Sequence, residues 1–303
     1  MNLLIVGSVA YDDVETPFAK GKNLLGGSAT YFSLAASHFT QPKIVAVVGR
    51  DFKISDEKIL LGKKIDLEGL QKENGKSFRW GGKYHFDLNT RDTLFTELNV
   101  FENFKPKLLE DHKNSQFVFL GNIHPSLQKE VLLQIKNPKF VGLDTMNFWM
   151  QSAPNELRSV LKMINIFIIN DAEAREFSKE HNLIKAAKKI FSMMKKNATL
   201  IIKRGEYGLL LFQGNKIFHL PGYPLEDVVD PTGAGDSFAG GFMGYLTKTQ
   251  NISWDNLKKA CVAGSVMASF CVEKLGTKRL QQIKSAEIKK RFTDFKTLTH
   301  FEI

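Results

Sequence analysis

Residues 230–242 read DPTGAGDSFAGGF, and this stretch decides how the rest of the chain is interpreted. Three small residues, Gly233, Ala234 and Gly235, precede Asp236, and apolar residues at helical spacing follow it. This spacing predicts a helix that begins at or just before Asp236. The first turn of a helix exposes unpaired backbone N–H groups at its positive end, and small residues let an anion approach them. The stretch therefore predicts an anion site with a carboxylate beside it.

An anion site of this kind suits phosphoryl transfer. Backbone amides can hold a phosphate or stabilise the negative charge that develops during transfer. Asp236 could then take the proton from an attacking hydroxyl group. The alternative is an ordinary glycine turn in which the aspartate only caps the helix.

A second candidate stretch, NDAEAREF, follows the apolar run INIFII. Asn170 stands at the carboxyl end of the predicted strand, and Glu173 falls in the first turn of the next helix. Both could reach a phosphate-bound Mg²⁺ through water, because Mg²⁺ keeps much of its hydration shell in proteins. The alternative is helix capping, with Asp171 as the cap.

A third candidate stretch, IIKRGEYG, places Lys203 at the end of a strand and a turn at Gly205 and Gly208. A lysine in that position can pair with a phosphate. A plain hairpin is the alternative. The chain contains neither a Walker A motif nor the protein-kinase motifs, so its phosphate chemistry would belong to another class.

The chain as a whole predicts an α/β fold with a mostly parallel central sheet and helices on both faces. Continuous apolar runs are typical of strands that are buried on both sides. Helical patterns lie between several of these runs, as in SATYFSLAASHF, and strands that alternate with helices indicate a parallel sheet. The runs are NLLIVGS, KIVAVVG, QFVFLG, KFVGLD, INIFII and ATLIIKRG.

One segment breaks this pattern and predicts a lid. In SFRWGGKYHFDL the apolar side chains alternate with polar ones through Leu88, which is typical of a half-exposed strand. Gly81 and Gly82 are interpreted as a bulge or a bend within this strand, followed by a turn near DLNTRD and a return strand TLFTEL. We expect a small sheet over a ligand; an ordinary hairpin packed on the core is the alternative.

Composition limits the remaining classes. The 303 residues carry a net charge of +10, with lysines spread along the chain, and no apolar run is long enough to cross a membrane. The basic charge is typical of solvated helix faces or of a field that attracts an anionic ligand. The sparse cysteines, Cys261 and Cys271, and the lack of a signal peptide predict a cytoplasmic protein without disulfides.

Taken together, these motifs resemble the ribokinase-like (PfkB) family of carbohydrate and nucleoside kinases. The resemblance covers nearly the whole chain and rests on these motifs, which occur in the family's order: GSVAYD, GGSATYFSLAASHF, VVGRDF, NDAE, KRGEYG, DPTGAGDSFAGGF and KLGT. It implies one ribokinase-like domain over residues 1–303, with lid segments at about 13–25 and 74–100.

The resemblance also implies roles on the phosphate side of the site. Asp236 would be the catalytic base, and the amides of Gly233, Ala234 and Gly235 would form the anion hole. The ATP-binding residues would be Asn170, Glu173, Lys203, Gly205, Gly208, Thr232, Gly264 and Gly276. Asn170 and Glu173 would organise Mg²⁺ through water, and Asp230 and Thr232 would hold a monovalent cation such as K⁺.

On the acceptor side, Asp12 matches the family's carboxylate that binds sugar hydroxyls, and a carboxylate can accept hydrogen bonds from two adjacent hydroxyls. The further substrate-binding candidates are Gly26, Gly27, Ser28, Tyr31, Asp144 and Asn147. Ribokinases have Lys and Asn where this chain has Ser28 and Tyr31, which argues against free ribose. Tyr31 and the lid aromatics Phe78, Trp80 and Tyr84 either stack on a purine or only pack the lid.

The leading hypothesis is an ATP-dependent kinase that uses Mg²⁺. Its acceptor would be the primary hydroxyl of a nucleoside, such as adenosine, or of a carbohydrate other than free ribose. The alternative is a catalytically silent nucleotide or sugar sensor of the same fold. We expect no nucleic-acid or membrane partner, because no such motif is present, and homodimerisation through the lid is a further expectation.

Overall fold

The computed structural model describes residues 2–300, which form two β-sheets and twelve α-helices. The strands are β1 (Leu3–Val6), β2 (Ala10–Glu15), β3 (Lys20–Gly26), β4 (Pro42–Gly49), β5 (Asp66–Glu73), β6 (Phe78–Tyr84), β7 (Arg91–Glu97), β8 (Phe117–Leu120), β9 (Phe140–Leu143), β10 (Ile166–Asn170), β11 (Thr199–Lys203), β12 (Leu209–Gln213) and β13 (Lys216–Leu220). The helices are α1 (Ser28–Ala36), α2 (Ile54–Gly62), α3 (Glu110–Lys113), α4 (Pro125–Gln134), α5 (Asn147–Ser152), α6 (Pro154–Leu161), α7 (Asp171–Ser178), α8 (Leu183–Phe191), α9 (Ala234–Thr249), α10 (Trp254–Cys271), α11 (Lys278–Gln282) and α12 (Ser285–Thr299).

The main sheet has nine strands in the order β13-β12-β11-β10-β9-β8-β1-β4-β5. Seven of them, from β11 to β5 in that order, are parallel, and β12 and β13 continue the sheet antiparallel. The chain moves from β1 to β4 and β5 on one side, and then crosses to β8 on the other. The order therefore reverses at β1 and β8, where ligands bind in open α/β sheets, at the carboxyl ends of the strands.

Hydrophobic side chains cover both faces of this sheet. Along β1, Leu3 and Ile5 join one apolar core, while Leu4 and Val6 join the other. The first core packs against α1, α9 and α10, and the second against α4, α6 and α8. Each strand of a parallel sheet needs apolar residues on both faces, and this explains the continuous apolar runs in the sequence. The predicted α/β architecture is confirmed.

The second sheet has four strands in the order β3-β2-β6-β7, and we call it the lid sheet. β2 and β6 are parallel, whereas both outer pairs are antiparallel. The predicted bulge is confirmed, because the register of β6 against β7 shifts between Gly81 and Gly82. The predicted long strand was too long: β6 ends at Tyr84, and Phe86 lies in the following turn, 83% exposed. The lid sheet spans 10–26 and 78–97.

Several local predictions are confirmed. Residues 171–191 form two helices, α7 and α8, and the late glycine stretch opens α9. Both cysteines lie in α10 as buried free thiols. Within residues 2–300, no helix combines the length and apolar character that a bilayer span requires.

Candidate active site

The entrance to α9 is shaped by a glycine that no other residue could replace without strain. Gly233 has φ 75°, in the left-handed region that favours glycine, and stands directly before the helix. The Tyr31 ring packs so closely that a Cβ at Gly233 would overlap it. Gly235 is also confined, because a Cβ there would lie 2.7 Å from the Lys203 amine. The backbone at this entrance is therefore bare on the side that faces Lys203.

Two of the three predicted anion-hole amides are free to bind a ligand. Among residues 2–300, the N–H groups of Gly233 and Gly235 have no hydrogen-bond acceptor. The Ala234 N–H donates to the Pro231 carbonyl oxygen at 3.2 Å, so the two glycine amides are the ones available to an anion here. Free amides at a helix entrance bind anions, since the macrodipole adds to their hydrogen bonds.

Charged side chains converge on this entrance from three neighbouring strands of the main sheet. Asp144 follows β9, Glu173 lies in the first turn after β10, and Lys203 ends β11. The carboxyl ends of parallel strands meet at one edge, which brings these groups together. Their charges act on one another: Asp144 and Lys203 both shift the pKa of Glu173 and of Asp236.

The electrostatics of Asp236 match those of a general base. Burial, with the charge of Asp144, raises the pKa of Asp236 to about 7, although Lys203 and Arg91 act in the opposite direction. Protein surrounds the carboxylate, yet the residue keeps some contact with solvent. A base with a pKa near the working pH combines a deprotonated fraction with useful proton affinity. The carboxylate is not turned into the apolar core.

Lys203 carries the positive charge of this cluster. Burial disfavours its charged form, but Asp144, Glu173 and Asp236 together raise the pKa of the amine. Within the described chain it has no carboxylate within 4.0 Å. A protonated amine next to Gly235, without a direct partner, is available to a phosphate. The hairpin alternative describes the backbone correctly, since β11 and β12 are antiparallel neighbours, with Gly205 and Gly208 in the exposed connection.

Asn170 and Glu173 form a capping box, so the capping alternative accounts for one of the two. The Asn170 amide oxygen accepts from the Glu173 N–H at 2.8 Å, and a Glu173 carboxylate oxygen accepts from the Asn170 N–H at 2.8 Å. The cap is Asn170 and not Asp171. The Asn170 side-chain oxygen thus caps α7, and its role toward Mg²⁺ stays a prediction.

The carboxylates fit a magnesium ion that is held largely by water and phosphate. Glu173 and Asp144 each have one oxygen that accepts a backbone N–H and a second oxygen without a partner in residues 2–300. Burial and the neighbouring Asp144 charge raise the pKa of Glu173 to about 7, a repulsion that a cation would relieve. Residues 2–300 contain no group of three or more His, Cys, Asp or Glu side chains that could hold a metal by themselves.

Asp230 connects the glycine stretch to the turn before α11 through two hydrogen bonds. One Asp230 oxygen accepts from the Thr232 N–H at 2.9 Å, and the other accepts from the Gly276 N–H at 2.8 Å. Burial raises the pKa of Asp230, while these hydrogen bonds act in the opposite direction. Gly264 is buried where α10 crosses α9, with Phe238 in contact, so packing alone explains a glycine there.

Asp12 faces the catalytic cluster from the lid sheet. It is 4% exposed, and a Cβ on Gly26 would overlap its carboxylate. Burial raises the pKa of Asp12 to about 8; a hydrogen bond from the Gly27 amide opposes this, while the charges of Asp230 and Asp236 add to it. Asp12 and Asp236 therefore lie close enough to repel one another across the space where an acceptor would bind.

Three predicted substrate contacts have other partners. Ser28 exchanges hydrogen bonds with Ser8, since each N–H donates to the other's hydroxyl oxygen at 3.0–3.1 Å. Asn147 is exposed, and its amide donates to Glu176 at 2.9 Å. Tyr31 is buried beneath Gly233, so its ring is not available for stacking on a base. Burial of the Tyr31 ring corrects its expected stacking role, whereas the substrate roles of Ser28 and Asn147 stay predictions.

The lid aromatics are divided between packing and the site. Phe78 stacks on Phe101 with ring centroids 5.2 Å apart, and Tyr84 is buried, with its hydroxyl oxygen 3.2 Å from the Thr232 hydroxyl. Trp80 remains partly exposed and is the register partner of Asp12 on the neighbouring strand. Of these four aromatics in the described chain, Trp80 is the one that is neither buried nor stacked on another aromatic ring.

Arg91 contributes charge to the carboxylate cluster, although no sequence motif singles it out. It begins β7 in the lid sheet, and its guanidinium lies 5.4 Å from the Trp80 ring centroid. Its charge acts to lower the pKa of Asp236 and Glu173, so the lid sheet contributes a cation to the carboxylate cluster. The residue stands in a stretch predicted as a turn, where an isolated arginine carries no distinguishing signal.

Comparisons with known proteins identify the family of this chain. The family model described as pfkB family carbohydrate kinase matches residues 20–283. A cytidine kinase of Thermococcus kodakarensis is 26% identical over 253 residues, which cover 81% of this chain and 88% of that protein.

Solved structures share the fold over almost the full length. A Burkholderia thailandensis nucleoside kinase in complex with inosine has a TM-score of 0.77 at 20% identity, covering 98% of both chains. Ribokinase from Cryptococcus neoformans in complex with ADP has a TM-score of 0.76 at 20% identity, covering 96% of this chain and 99% of that one. The chain therefore belongs to the pfkB family of carbohydrate kinases, and it is a phosphotransferase with an alcohol group as acceptor.

Proposed function

We propose that this protein transfers the γ-phosphoryl group of ATP to a primary hydroxyl of a nucleoside. The observation that carries the proposal is the position of Asp236. It stands at the entrance of α9, next to the free glycine amides and Lys203, and its pKa responds to the same carboxylate cluster. Asp12 approaches the same space from the lid sheet.

The proposed chemistry uses one proton transfer and one displacement. Asp236 accepts the proton of the acceptor hydroxyl, and that oxygen attacks the γ-phosphorus while the bond to the β-phosphate oxygen breaks. The amides of Gly233 and Gly235, with Lys203, stabilise the charge on the transferred group. When bound, Mg²⁺ would neutralise phosphate charge, and Glu173 and Asp144 are the residues proposed to hold its water ligands.

A nucleoside acceptor is supported by three independent points. Asp12 can accept hydrogen bonds from two adjacent sugar hydroxyls. Trp80, its register partner, offers an aromatic face on the same side of the lid sheet, and such faces stack on bases. The Thermococcus kodakarensis relative is a cytidine kinase, and the Burkholderia thailandensis neighbour was solved with inosine.

The remaining roles are proposals of the same kind. We propose that Gly205, Gly208 and Thr232 line the nucleotide, and that Gly26 and Gly27 let the backbone approach the sugar. We propose that a monovalent cation such as K⁺ binds near Asp230 and Thr232. It would neutralise the buried Asp230 carboxylate, which has no cationic side chain within 4.0 Å in the described chain. The outer strands of the lid sheet, β3 and β7, are the edges through which two copies would pair.

An acceptor panel tests the proposal. The purified protein is incubated with ATP, Mg²⁺ and one compound at a time: adenosine, inosine, cytidine, uridine, ribose, fructose and other free sugars. We expect ADP release that depends on a nucleoside, and a product with phosphate on the 5′ hydroxyl. Release that depends on a free sugar and on no nucleoside would contradict the nucleoside assignment while preserving the kinase.

A second readout separates a kinase from a sensor. Calorimetric titration with the same compounds detects binding regardless of turnover. A nucleoside or sugar that binds tightly in the presence of Mg·ATP, with no ADP formed for any acceptor, would favour the silent sensor.

Trp80→Ala, compared with Trp254→Ala at the distant start of α10, is expected to raise the KM for the nucleoside.

A further inference from the structure

A second cavity lies outside the candidate active site, between α6 and the ends of α7 and α8. Its volume is about 680 Å³. Cavities that hold cofactors and small ligands fall in the range of roughly 300–1,000 Å³. The catalytic cluster does not contribute to its wall, so the family's reaction does not account for it.

The wall carries four cations and a single carboxylate. Arg158 lies on α6 and Lys162 directly follows it, Lys179 directly follows α7, and Lys189 lies on α8. None of the four has a carboxylate within 4.0 Å in the part of the chain that the structure describes. The carboxylate, Glu176, already accepts hydrogen bonds from Asn147 and Gln151. The cavity thus presents an excess of positive charge to an anion.

The floor of the same cavity is apolar. Met150 is 6% exposed, and Phe177 and Met193 are partly buried and pack on the second core. Thioether and aromatic side chains adapt to flat rings. Inorganic phosphate alone would leave this floor exposed, whereas a ligand with a ring and several phosphates would use both parts of the wall.

We propose that this cavity is a second nucleotide site, in which Phe177, Met150 and Met193 contact the base. Arg158, Lys162, Lys179 and Lys189 bind the phosphates. Arginine and lysine are the side chains that proteins use for phosphate, through charge-assisted hydrogen bonds. The site is distinct from the kinase site and performs no chemistry.

Two short helices connect this cavity to the catalytic cluster. α7 has Glu173 in its first turn and ends at the cavity with Phe177 and Ser178, about 6–8 Å away along the helix. α5 begins three residues after Asp144 and reaches the cavity at Met150. Glu176 binds α5 through both Asn147 and Gln151. α5 and α7 thus lie between the cavity and the residues Asp144 and Glu173.

ATP-binding stoichiometry tests the proposal, with labelled ATP as the probe and no acceptor present. We expect wild type to bind two equivalents and Arg158→Glu/Lys162→Glu to bind one, with acceptor-dependent ADP release retained by the variant. Lys289→Glu/Lys296→Glu on α12 changes the charge equally at exposed residues and is expected to bind two. One equivalent in both wild type and Arg158→Glu/Lys162→Glu would overturn the second site.

Photolabelling gives a readout that does not depend on a stable variant. With 8-azido-ATP, wild type is expected to be labelled on peptides that contain Phe177 or Met193, in addition to the kinase site. Labels confined to the kinase site would overturn the proposal. If the kinase site failed to bind nucleotide, wild type would bind one equivalent and Arg158→Glu/Lys162→Glu none, which separates the two proposals.

Discussion

Burial and the charge of Asp144 raise the pKa of Asp236 to about 7, and Lys203 and Arg91 keep it from rising further. At the scale of single residues, this balance allows a buried carboxylate to serve as a base near neutral pH. The base must be deprotonated to act, so kcat/KM is expected to rise with pH through about 7 and then level off. Because Asp144, Glu173 and Asp236 interact, the acid limb of the kcat/KM profile reports the protonation of the whole cluster and not of one residue.

Lys203→Met tests the balance. Without the amine, the repulsion among the three carboxylates increases, so the acid limb of the kcat/KM profile is expected to move to higher pH. Lys185→Met, which removes an exposed lysine on α8, serves as the control and should leave the limb in place. A Lys203→Met profile that coincides with wild type would show that the amine does not act on the base.

At the scale of elements, the contact between α1 and α9 sets the geometry of the site. α9 carries Asp236 at its entrance, and α1 begins directly after Gly26 and Gly27, which lie beside Asp12. The two helices approach so closely that a Cβ on Gly240 would overlap the Phe32 carbonyl oxygen. This packing therefore fixes the separation between the acceptor side and the phosphate side.

Gly240→Ala is expected to destabilise the protein by about 1–3 kcal/mol, the usual cost of overpacking, with a lower Tm. Gly62→Ala is the matched control, because nothing lies within 4 Å of a Cβ at that position in α2. Alanine there is expected to stabilise by up to about 1 kcal/mol through its helix propensity and the smaller entropy of the unfolded chain. Equal Tm values for the two variants would contradict the close contact.

The lid sheet contributes charge as well as cover. Arg91→Ala removes a cation from the carboxylate cluster, and we expect kcat to fall by roughly 10–100-fold, since a preorganised positive charge beside Asp236 and Glu173 is lost. Lys83→Ala removes a lid lysine that pairs with Glu15 at 3.0 Å and should change kcat little. Steady-state kinetics with saturating ATP would distinguish them; similar kcat values would remove Arg91 from the site.

The sequence predicts elements better than side-chain partners. Apolar runs and helical spacing are local properties, so the parallel strands, α9 and the bulge at Gly81 and Gly82 follow from them. The partners of Ser28 and Tyr31 do not, because they join positions 20 and about 200 residues apart. Arg91 reaches the cluster only after the lid sheet is placed over the main sheet.

At the scale of the whole molecule, the net charge of +10 suits an enzyme with anionic substrates. The exception is the candidate active site, where the carboxylates of Asp12, Asp144, Glu173 and Asp236 concentrate negative charge. The molecule thus combines a basic exterior with a cluster of carboxylates, and Lys203 and the glycine amides lie where the phosphate would meet it.

The most direct measurement is single-turnover phosphoryl transfer by Asp236→Asn, with ATP affinity measured on the same preparation. Asparagine keeps the size of the side chain but cannot accept the proton. We predict that the rate of acceptor phosphorylation falls by roughly 10²–10⁴-fold, while ATP binds with near wild-type affinity. A variant that binds ATP and transfers its phosphoryl group at close to the wild-type rate would contradict the account.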